Sequence, residues 1–563
     1  MNSPSAPGLR RWADAALLAV VVVTLAFFAL THEGLYALDD YYYARYAHQL
    51  LHGTFELGPD PEGRLHDPLH ERWLIFGPVA LCYALLGVNI ISTTLWPLLA
   101  TLGCSLLLWL SYRRREPLVA AGAVLLLGLH YFTLNLSTYL YPDNINMLAC
   151  LAAALALNAG RRAAQPGRWG AGFALLNFAA LLCKETVVYY VPFYLGLLLL
   201  DGYRRRHGRF WLSAALTGTA LLAAYLLFYQ VMTDDALYRI HLIEQTNNFL
   251  KEGNFLLGNR AALLARVTYG PLLVFIGSGL GLLLLLALGS GRPTAADAAA
   301  DRYFWLGLGL STLAAFWLGS TSLSQYNPIT LQPRMMTPLL PPLGLAAAFG
   351  LRDVLLSGRR AGLYAAILVA LAAFDRSSVA VLYLGWAGTF LALAGLARRS
   401  AEPGRWPRPG STGYAGLGLL ALGLVLLLRP AYFMGKPSAS GHFAQDRVLR
   451  RQLPPAPVLL LVDDFLAGNV DFYFDFRVPA DLRIRRYWAR DSVQLAPNQP
   501  AYLLLNRATL SNPELTRKLL RYSADSVLRW YPRRELLARD GPVELYRVQL
   551  HGADSASTNS LAQ

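Results

Sequence analysis

Two adjacent carboxylates open a stretch of the sequence that could do acid–base chemistry. Asp39 and Asp40 begin the run Asp-Asp-Tyr-Tyr-Tyr-Ala-Arg-Tyr-Ala-His, whose mixture of aromatic and polar residues predicts an amphipathic helix lying on a membrane surface. Neighbouring carboxylates at a helix start suit a general base or a metal site. The alternative is a plain helix N-cap by Asp39, which needs no further function.

A second group of polar residues combines imidazoles with carboxylates. The stretch 66–73 contains His66, Asp67, His70 and Glu71 before a Trp, and His with carboxylates can hold a divalent ion. We therefore consider His66, Asp67 and Glu71 as residues for an acceptor or a metal, with His66 and Asp67 as the candidate metal ligands. A solvated loop that ends in an interfacial Trp is the other interpretation.

Three further charges lie at the edges of apolar segments, where charge is costly and tends to be functional. Lys184 interrupts the apolar run 170–200, and it is one of only four lysines among 50 Lys and Arg residues. Its ammonium is a compact point charge suited to a phosphate, although a buried ion pair with Glu185 or a hinge would also explain it. Asp143 lies in a hairpin that needs only a turn. Arg334 can bind an anion or extend toward lipid headgroups.

The elements that must hold these charges are membrane helices. The 563-residue chain is 55% hydrophobic and 15% charged, whereas a soluble globular chain carries about 25% charge. A single soluble domain is therefore disfavoured. The net charge of +15 indicates positive cytoplasmic loops rather than nucleic-acid binding. We expect an integral membrane protein.

Basic clusters predict a topology for these helices. An uncleaved first helix over 15–30 runs outward, and Arg clusters then follow alternate apolar segments, as at 113–115, 161–162, 204–206, 359–360 and 398–399. This alternation predicts about 13 transmembrane helices, with segment 73–88 re-entrant or interfacial because a further span there would break the pattern. On this topology Asp39, Lys184, Arg334 and the other polar candidates lie on the outer face.

The composition changes near residue 430. Alternating apolar runs at 458–462, 502–505 and 543–548 predict strands, and the stretch from Ser511 to Glu514 resembles a capping box that starts a helix reaching Trp530. The sequence therefore predicts an all-α polytopic transmembrane domain over 1–430, whose first outer loop spans about 32–72 with interfacial helices. A small extracytoplasmic α/β domain over 431–563 follows.

The order of these motifs resembles the GT-C glycosyltransferases, in particular the protein O-mannosyltransferases and the lipid A aminoarabinose transferase. The matching residues are Asp39-Asp40, Tyr43-Ala44, His66-Asp67-Pro68-Leu69 with Trp73, Leu181 to Lys184, and Pro333-Arg334 with Pro338 and Pro341. The resemblance extends from residue 1 to about 355. Asp40 stands where the family has Glu, and Met335 follows Arg334 where an aromatic is common. These departures leave the acceptor and any metal site open.

The resemblance implies a GT-C fold and a polyprenyl-phosphate-linked sugar as donor. The sugar would be transferred with inversion to an acceptor hydroxyl of a lipid, glycan or protein. By resemblance, Asp39 and Asp40 are catalytic, with Asp39 as the base, and Lys184 and Arg334 bind the donor phosphate. Asp143 would orient the acceptor or bind a metal, so a divalent ion is an open cofactor. The expected location is a bacterial inner membrane, with the active site and C-terminus facing the periplasm.

A lipid or solute transporter, or flippase, is the alternative function, and a non-catalytic scaffold is a third. Transporters usually place ionisable residues near the bilayer midplane and often contain internal repeats. Here the charged candidates are predicted on one surface, and no repeat is visible in the sequence. The sequence therefore favours the transferase.

Overall fold

A computed structural model describes most of the 563-residue chain. The described residues are 6–35, 38–57, 69–249, 260–289, 296–375, 377–399, 407–436, 441–453, 458–492, 500–511 and 520–550. The chain divides into two compact units. The helical unit comprises Met1–Thr31, Glu56–Pro78 and Thr94–Lys436. The sheet-containing unit comprises His32–Phe55, Val79–Thr93 and Pro437–Gln563.

Helices dominate the chain up to residue 436. In chain order they are Ala6–Thr31, Leu38–His52, Trp73–Leu86, Ile90–Tyr112, Pro117–Gly128, Tyr131–Asn135, Pro142–Gly160, Pro166–Leu181, Val191–Tyr203, Gly208–Thr233, Tyr238–Phe249, Arg260–Val267, Gly270–Gly277, Gly281–Gly289, Ala296–Leu318, Leu340–Ser357, Ala361–Asp375, Ala380–Arg399 and Thr412–Met434. Short 3-10 helices occupy Leu69–Glu71, Glu185–Tyr190 and Pro333–Leu339.

The length and apolarity of these helices indicate which can cross a membrane. Within the described ranges seven are long and apolar enough, and an eighth span results if Gly270–Gly277 and Gly281–Gly289, which meet at a 95° bend, count as one. Three further apolar helices, Trp73–Leu86, Pro117–Gly128 and Ala361–Asp375, are shorter. The prediction of a mainly helical, polytopic membrane protein is confirmed, whereas the figure of about 13 spans is not confirmed.

Three other helices differ from the predicted elements. Helices Tyr238–Phe249 and Arg260–Val267 were not predicted, because a search for apolar runs passes over polar helices. Segment 73–88, predicted as re-entrant or interfacial, forms the 14-residue apolar helix Trp73–Leu86. Its placement relative to a membrane stays a prediction.

The helical unit contains close helix–helix contacts at small residues, as is common between membrane helices. Helix Leu340–Ser357 is buried along most of its length, and its Gly350 lies against the backbone of helix Gly281–Gly289. A Cβ at Gly350 would overlap the carbonyl oxygen of Leu286, which belongs to the backbone and cannot move alone. The missing side chain therefore sets how closely these two helices approach.

The sheet-containing unit is built on a five-stranded mixed sheet. Its strands are β1 (Val458–Val462), β2 (Leu482–Arg486), β3 (Ala501–Asn506), β4 (Arg534–Asp540) and β5 (Val543–Val548), in the order β2-β1-β3-β5-β4. β1 pairs in parallel with β2 and β3, and β5 pairs antiparallel with β3 and β4. Every residue of β1 and β3 is buried, since both faces of the sheet centre are covered.

Short helices accompany this sheet, and together they confirm the predicted α/β region at the C-terminus. The three predicted apolar strands are β1, β3 and β5, whereas the Arg-containing edge strands β2 and β4 were missed because they lack an apolar run. The helices are Gly441–Gln452, Asp464–Ala467, Arg507–Leu510 and Ala524–Trp530, with 3-10 helices at Val470–Phe474 and Tyr487–Ser492.

The predicted continuous helix from Ser511 to Trp530 is wrong. The described helix begins at Ala524, with Ser523 as its N-cap accepting from the Ser526 amide. Arg521, with φ of 59°, has a left-handed backbone that a helix does not tolerate. Most of the predicted capping box lies in 512–519, outside the described residues.

Gly350→Ala is expected to destabilise the helical unit because the new methyl group collides with the Leu286 carbonyl. Overpacking of this kind costs about 1–3 kcal/mol. The matched control is Gly344→Ala in the same helix, where a Cβ meets no atom within 4 Å. The thermal midpoints of both variants in detergent would be compared with that of the parent protein, and equal midpoints for the two variants would contradict the contact.

Candidate functional site

The acidic pair lies in the first turn of helix Leu38–His52, in the sheet-containing unit. Asp39 is half-buried and Asp40 is completely buried. Carboxylates are favoured in a first helical turn, because the unsatisfied backbone amides give that end a partial positive charge. Asp39 is therefore the member of the pair that keeps access to solvent, and the helix predicted from sequence is present.

Lys184 and Asp143 form a buried ion pair in the helical unit. The Lys184 ammonium donates to the Asp143 carboxylate over 2.6 Å, and only 8% and 1% of the two side chains are exposed. Lys184 occupies the break between helix Pro166–Leu181 and the 3-10 helix Glu185–Tyr190, while Asp143 lies in the first turn of helix Pro142–Gly160. The sequence suggested an ion pair or a hinge at Lys184. The structure contains a buried ion pair, with Asp143 as the partner instead of Glu185, and a break between helical elements at this residue.

Arg334 reaches the same polypeptide segment from the 3-10 helix Pro333–Leu339. Its guanidinium lies 4.8 Å from the centre of the Tyr141 ring, and its Nε donates to the Gln332 amide oxygen over 3.0 Å. Tyr141 is the N-cap residue of the helix that carries Asp143. Both cations proposed from sequence, Lys184 and Arg334, therefore contact the short segment 141–143.

Glu71 belongs to a second buried cluster of charges in the helical unit. The Arg239 guanidinium lies 3.1 Å from the Glu71 carboxylate and donates to Glu185 over 2.6 Å. Arg72 donates to the other oxygen of Glu185 over 3.4 Å. Burial raises the pKa of Glu71 to about 8, although Arg239 opposes the shift. Two carboxylates thus share two guanidinium groups.

Arg239 is the residue of this cluster that sequence reasoning missed. It lies on the polar helix Tyr238–Phe249, which a hydropathy search passes over, yet it is 5% exposed. On the same helix, the Tyr238 hydroxyl lies 3.1 Å from His70 Nε2. Burial lowers the pKa of His70 to about 4, so the imidazole is neutral near pH 7. The signal in the sequence that could have identified Arg239 is an Arg close to a segment predicted to lie on the outer face.

The structure describes only some of the residues proposed for a metal or an acceptor. His66 and Asp67 lie outside the described residues. Among those that are described, no group of three or more His, Cys, Asp or Glu side chains could hold a metal ion. The two described candidates are both paired with cations, Glu71 with Arg239 and Asp143 with Lys184. A divalent ion bound by His66 and Asp67 stays a prediction.

One protein family matches part of the chain. Residues 67–232 match the model of a family described as dolichyl-phosphate-mannose-protein mannosyltransferase. No curated protein matches the chain. The resemblance to GT-C glycosyltransferases of the protein O-mannosyltransferase type is confirmed over this stretch, which contains Glu71, Asp143 and Lys184.

Solved structures similar to the chain include ArnT from Cupriavidus metallidurans in the apo state. It is 16% identical, covers 94% of this chain and 97% of its own, and has a TM-score of 0.49. The same protein bound to undecaprenyl phosphate is 15% identical. The match covers 96% of this chain and 98% of that protein, with a TM-score of 0.49. The Archaeoglobus fulgidus oligosaccharyltransferase is 12% identical, covers 84% of this chain and 64% of its own, and has a TM-score of 0.41.

Arg239→Gln is expected to destabilise the helical unit strongly, because Glu71 and Glu185 would lose a buried guanidinium. Breaking a buried ion pair from one side costs about 3–5 kcal/mol. The matched control is His241→Gln on the same helix, where the His241 side chain is 57% exposed and pairs with Asp235 at 2.7 Å.

The control should change stability by less than about 1 kcal/mol, as exposed pairs do. Thermal unfolding in detergent would measure both variants. An Arg239→Gln variant as stable as His241→Gln would show that the cluster contributes little to the fold.

Proposed function

We propose that this chain is a membrane glycosyltransferase of the GT-C type. It moves a sugar from a polyprenyl-phosphate donor to an acceptor hydroxyl on the outer face of a bacterial inner membrane, with inversion at the anomeric carbon. The observation that carries the proposal is the match of residues 67–232 to the mannosyltransferase family, with the buried Lys184–Asp143 pair inside that stretch.

The two candidate cations suit a lipid-linked phosphate. A lysine ammonium has three donor hydrogens, so Lys184 can keep its contact with Asp143 and still donate to a phosphate oxygen. Arg334 contributes a second, delocalised positive charge against the same 141–143 segment. When the bond between sugar and phosphate breaks, negative charge grows on the leaving phosphate, and positioned cations stabilise it more strongly in the transition state than in the donor.

The acidic pair supplies a base for the acceptor. Asp39 would accept the acceptor hydroxyl proton as the oxygen attacks the anomeric carbon, and polyprenyl phosphate would leave from the opposite side. Asp40, which is completely buried, would orient its neighbour rather than meet the acceptor. A single displacement of this kind inverts the configuration. Asp143, which is held in place by Lys184, would orient the acceptor.

The charge pattern and the donor chemistry both support an outward-facing site. Arg clusters alternate with apolar segments, as expected if the candidate residues lie on the outer face. Nucleotide sugars are cytoplasmic, so an enzyme acting outside needs a sugar already carried across on a lipid. A polyprenyl-phosphate sugar meets this requirement.

Asp39→Asn is expected to abolish sugar transfer while the protein still inserts and folds, because an amide cannot accept the proton. Purified protein would be incubated with a panel of polyprenyl-phosphate sugars and candidate acceptors, with and without chelator, and released polyprenyl phosphate would be measured. Loss of about 100-fold or more is expected for a general base.

Undiminished release by the variant would remove Asp39 as the base. Lipid or solute movement across vesicles by the parent protein, without donor turnover, would instead favour the transporter alternative.

Lys184→Gln and Arg334→Gln are expected to weaken donor use, because each removes a positive charge from the 141–143 segment. A lost charge-assisted hydrogen bond costs about 1.5–3 kcal/mol, which corresponds to roughly 10- to 150-fold in kcat/KM. Lys436→Gln is the matched control, since Lys436 is exposed at the end of helix Thr412–Met434. Steady-state kinetics with the donor would give kcat/KM for all three variants. An equal loss of kcat/KM in the control would contradict a specific phosphate site.

A further inference from the structure

Helix Leu38–His52, which we call the acidic helix, contacts one segment of the sheet-containing unit through a row of side chains on one face. Tyr41, Arg45 and His48 are spaced four and three residues apart on helix Leu38–His52, so they share one face. All three contact the segment 468–476, which follows β1 and the short helix Asp464–Ala467 and contains the 3-10 helix Val470–Phe474. We call this stretch the docking loop. Asp39 and Asp40 precede the stripe by less than one turn.

The central contact is a bidentate ion pair between Arg45 and Asp471. The Arg45 guanidinium donates from Nε to Asp471 Oδ2 over 2.8 Å and from a terminal nitrogen to Asp471 Oδ1 over 3.1 Å. The same terminal nitrogen donates to the Gly468 carbonyl. Side-chain exposures of 23% and 25% show that the pair is largely shielded from water. A bidentate pair of this kind fixes orientation as well as distance.

A hydrogen-bonded cluster holds the helix nearer its acidic end. The Tyr41 hydroxyl lies 2.7 Å from the Tyr473 hydroxyl and 3.2 Å from His442 Nδ1. Gln445 donates to the Tyr473 hydroxyl over 2.9 Å. Burial lowers the pKa of His442 to about 3, so its ring is neutral near pH 7 and can serve as acceptor or donor.

Apolar and ring contacts complete the docking. Leu35, Ala44 and Phe472 form one buried cluster, and the His48 ring stacks on Phe476 with centres 4.6 Å apart. Phe476 has a φ of 59°, and Asp475 before it has a φ of 52°. Left-handed backbone at non-glycine residues is costly and persists where surrounding contacts require it. The shape of the loop is therefore held by the fold around it.

We propose that the docking loop positions the acidic helix for catalysis, with Arg45 and Asp471 as positioning residues. The inference rests on the proposed function, in which Asp39 is the base. It gives the C-terminal α/β region a role in holding the base in place. Because misplacement of a reacting group by about 1 Å can cost 100-fold in rate, a rigid mount for this helix matters to catalysis.

The test uses the full-length protein with Arg45→Gln, Asp471→Asn and the double variant. The matched control is the pair Arg447 and Asp540, which is also bidentate, with distances of 2.6 and 2.9 Å, and joins helix Gly441–Gln452 to β4. Arg447→Gln and Asp540→Asn therefore remove the same chemistry elsewhere in the unit. Asp471→Glu tests whether a carboxylate alone restores function.

Hydrogen exchange over 38–52 and steady-state kinetics would both be measured. We expect faster exchange of the helix amides and a kcat reduced by about 10- to 100-fold in the docking variants, with the donor KM changed less than about twofold. The losses of Arg45→Gln and Asp471→Asn should not add in the double variant, because both remove one interaction. The control variants should stay within about twofold of the parent in kcat, and Asp471→Glu should recover part of it.

Two results would overturn the positioning role. In the first, helix exchange in the docking variants equals that of the parent. In the second, exchange rises but kcat is unchanged, or falls equally in the control variants. Absence of donor turnover by the parent protein would count against the proposed function itself, and faster exchange would then report a structural contact only.

Discussion

A lysine ammonium and an aspartate carboxylate, both almost completely removed from water, lie 2.6 Å apart in the helical unit. Neither Lys184 nor Asp143 would be stable in its charged form at this degree of burial without the other, because an unpaired buried charge is strongly unfavourable. The pair thereby joins the break after helix Pro166–Leu181 to the first turn of helix Pro142–Gly160. Arg334 stacks on Tyr141 at the start of the same turn, so the positive charges collect around one short segment.

The second buried cluster follows the same physical rule. Glu71 and Glu185 are balanced by Arg72 and Arg239, which come from separate parts of the chain. The two carboxylic groups and the two guanidinium groups hold one another in place. Such a network stabilises the arrangement of the segments that supply it. Because Glu185 is bonded to Arg72 and Arg239, its neighbour Lys184 pairs with Asp143 instead.

The acidic helix illustrates how a local pattern acquires a position. Its sequence places tyrosines, Arg45 and His48 on one face, and that face meets the docking loop through an ion pair, hydroxyl hydrogen bonds and ring stacking. Because these contacts differ in kind, the helix can neither slide nor rotate without losing several of them together. These contacts connect the acids at the start of the helix to a sheet whose central strands are wholly buried.

Hydropathy and charge pattern by themselves determined the membrane class, most of the apolar helices and the three buried strands, because those features depend on local composition. They also identified Lys184 as anomalous. Only the tertiary structure decided that its partner is Asp143, that Arg334 meets the same segment, and that Arg239 closes the cluster around Glu71. It also decided that Arg45 binds Asp471, 426 residues away. Ion pairs and edge strands of this kind depend on which distant segments meet, and that is a property of packing that no local window contains.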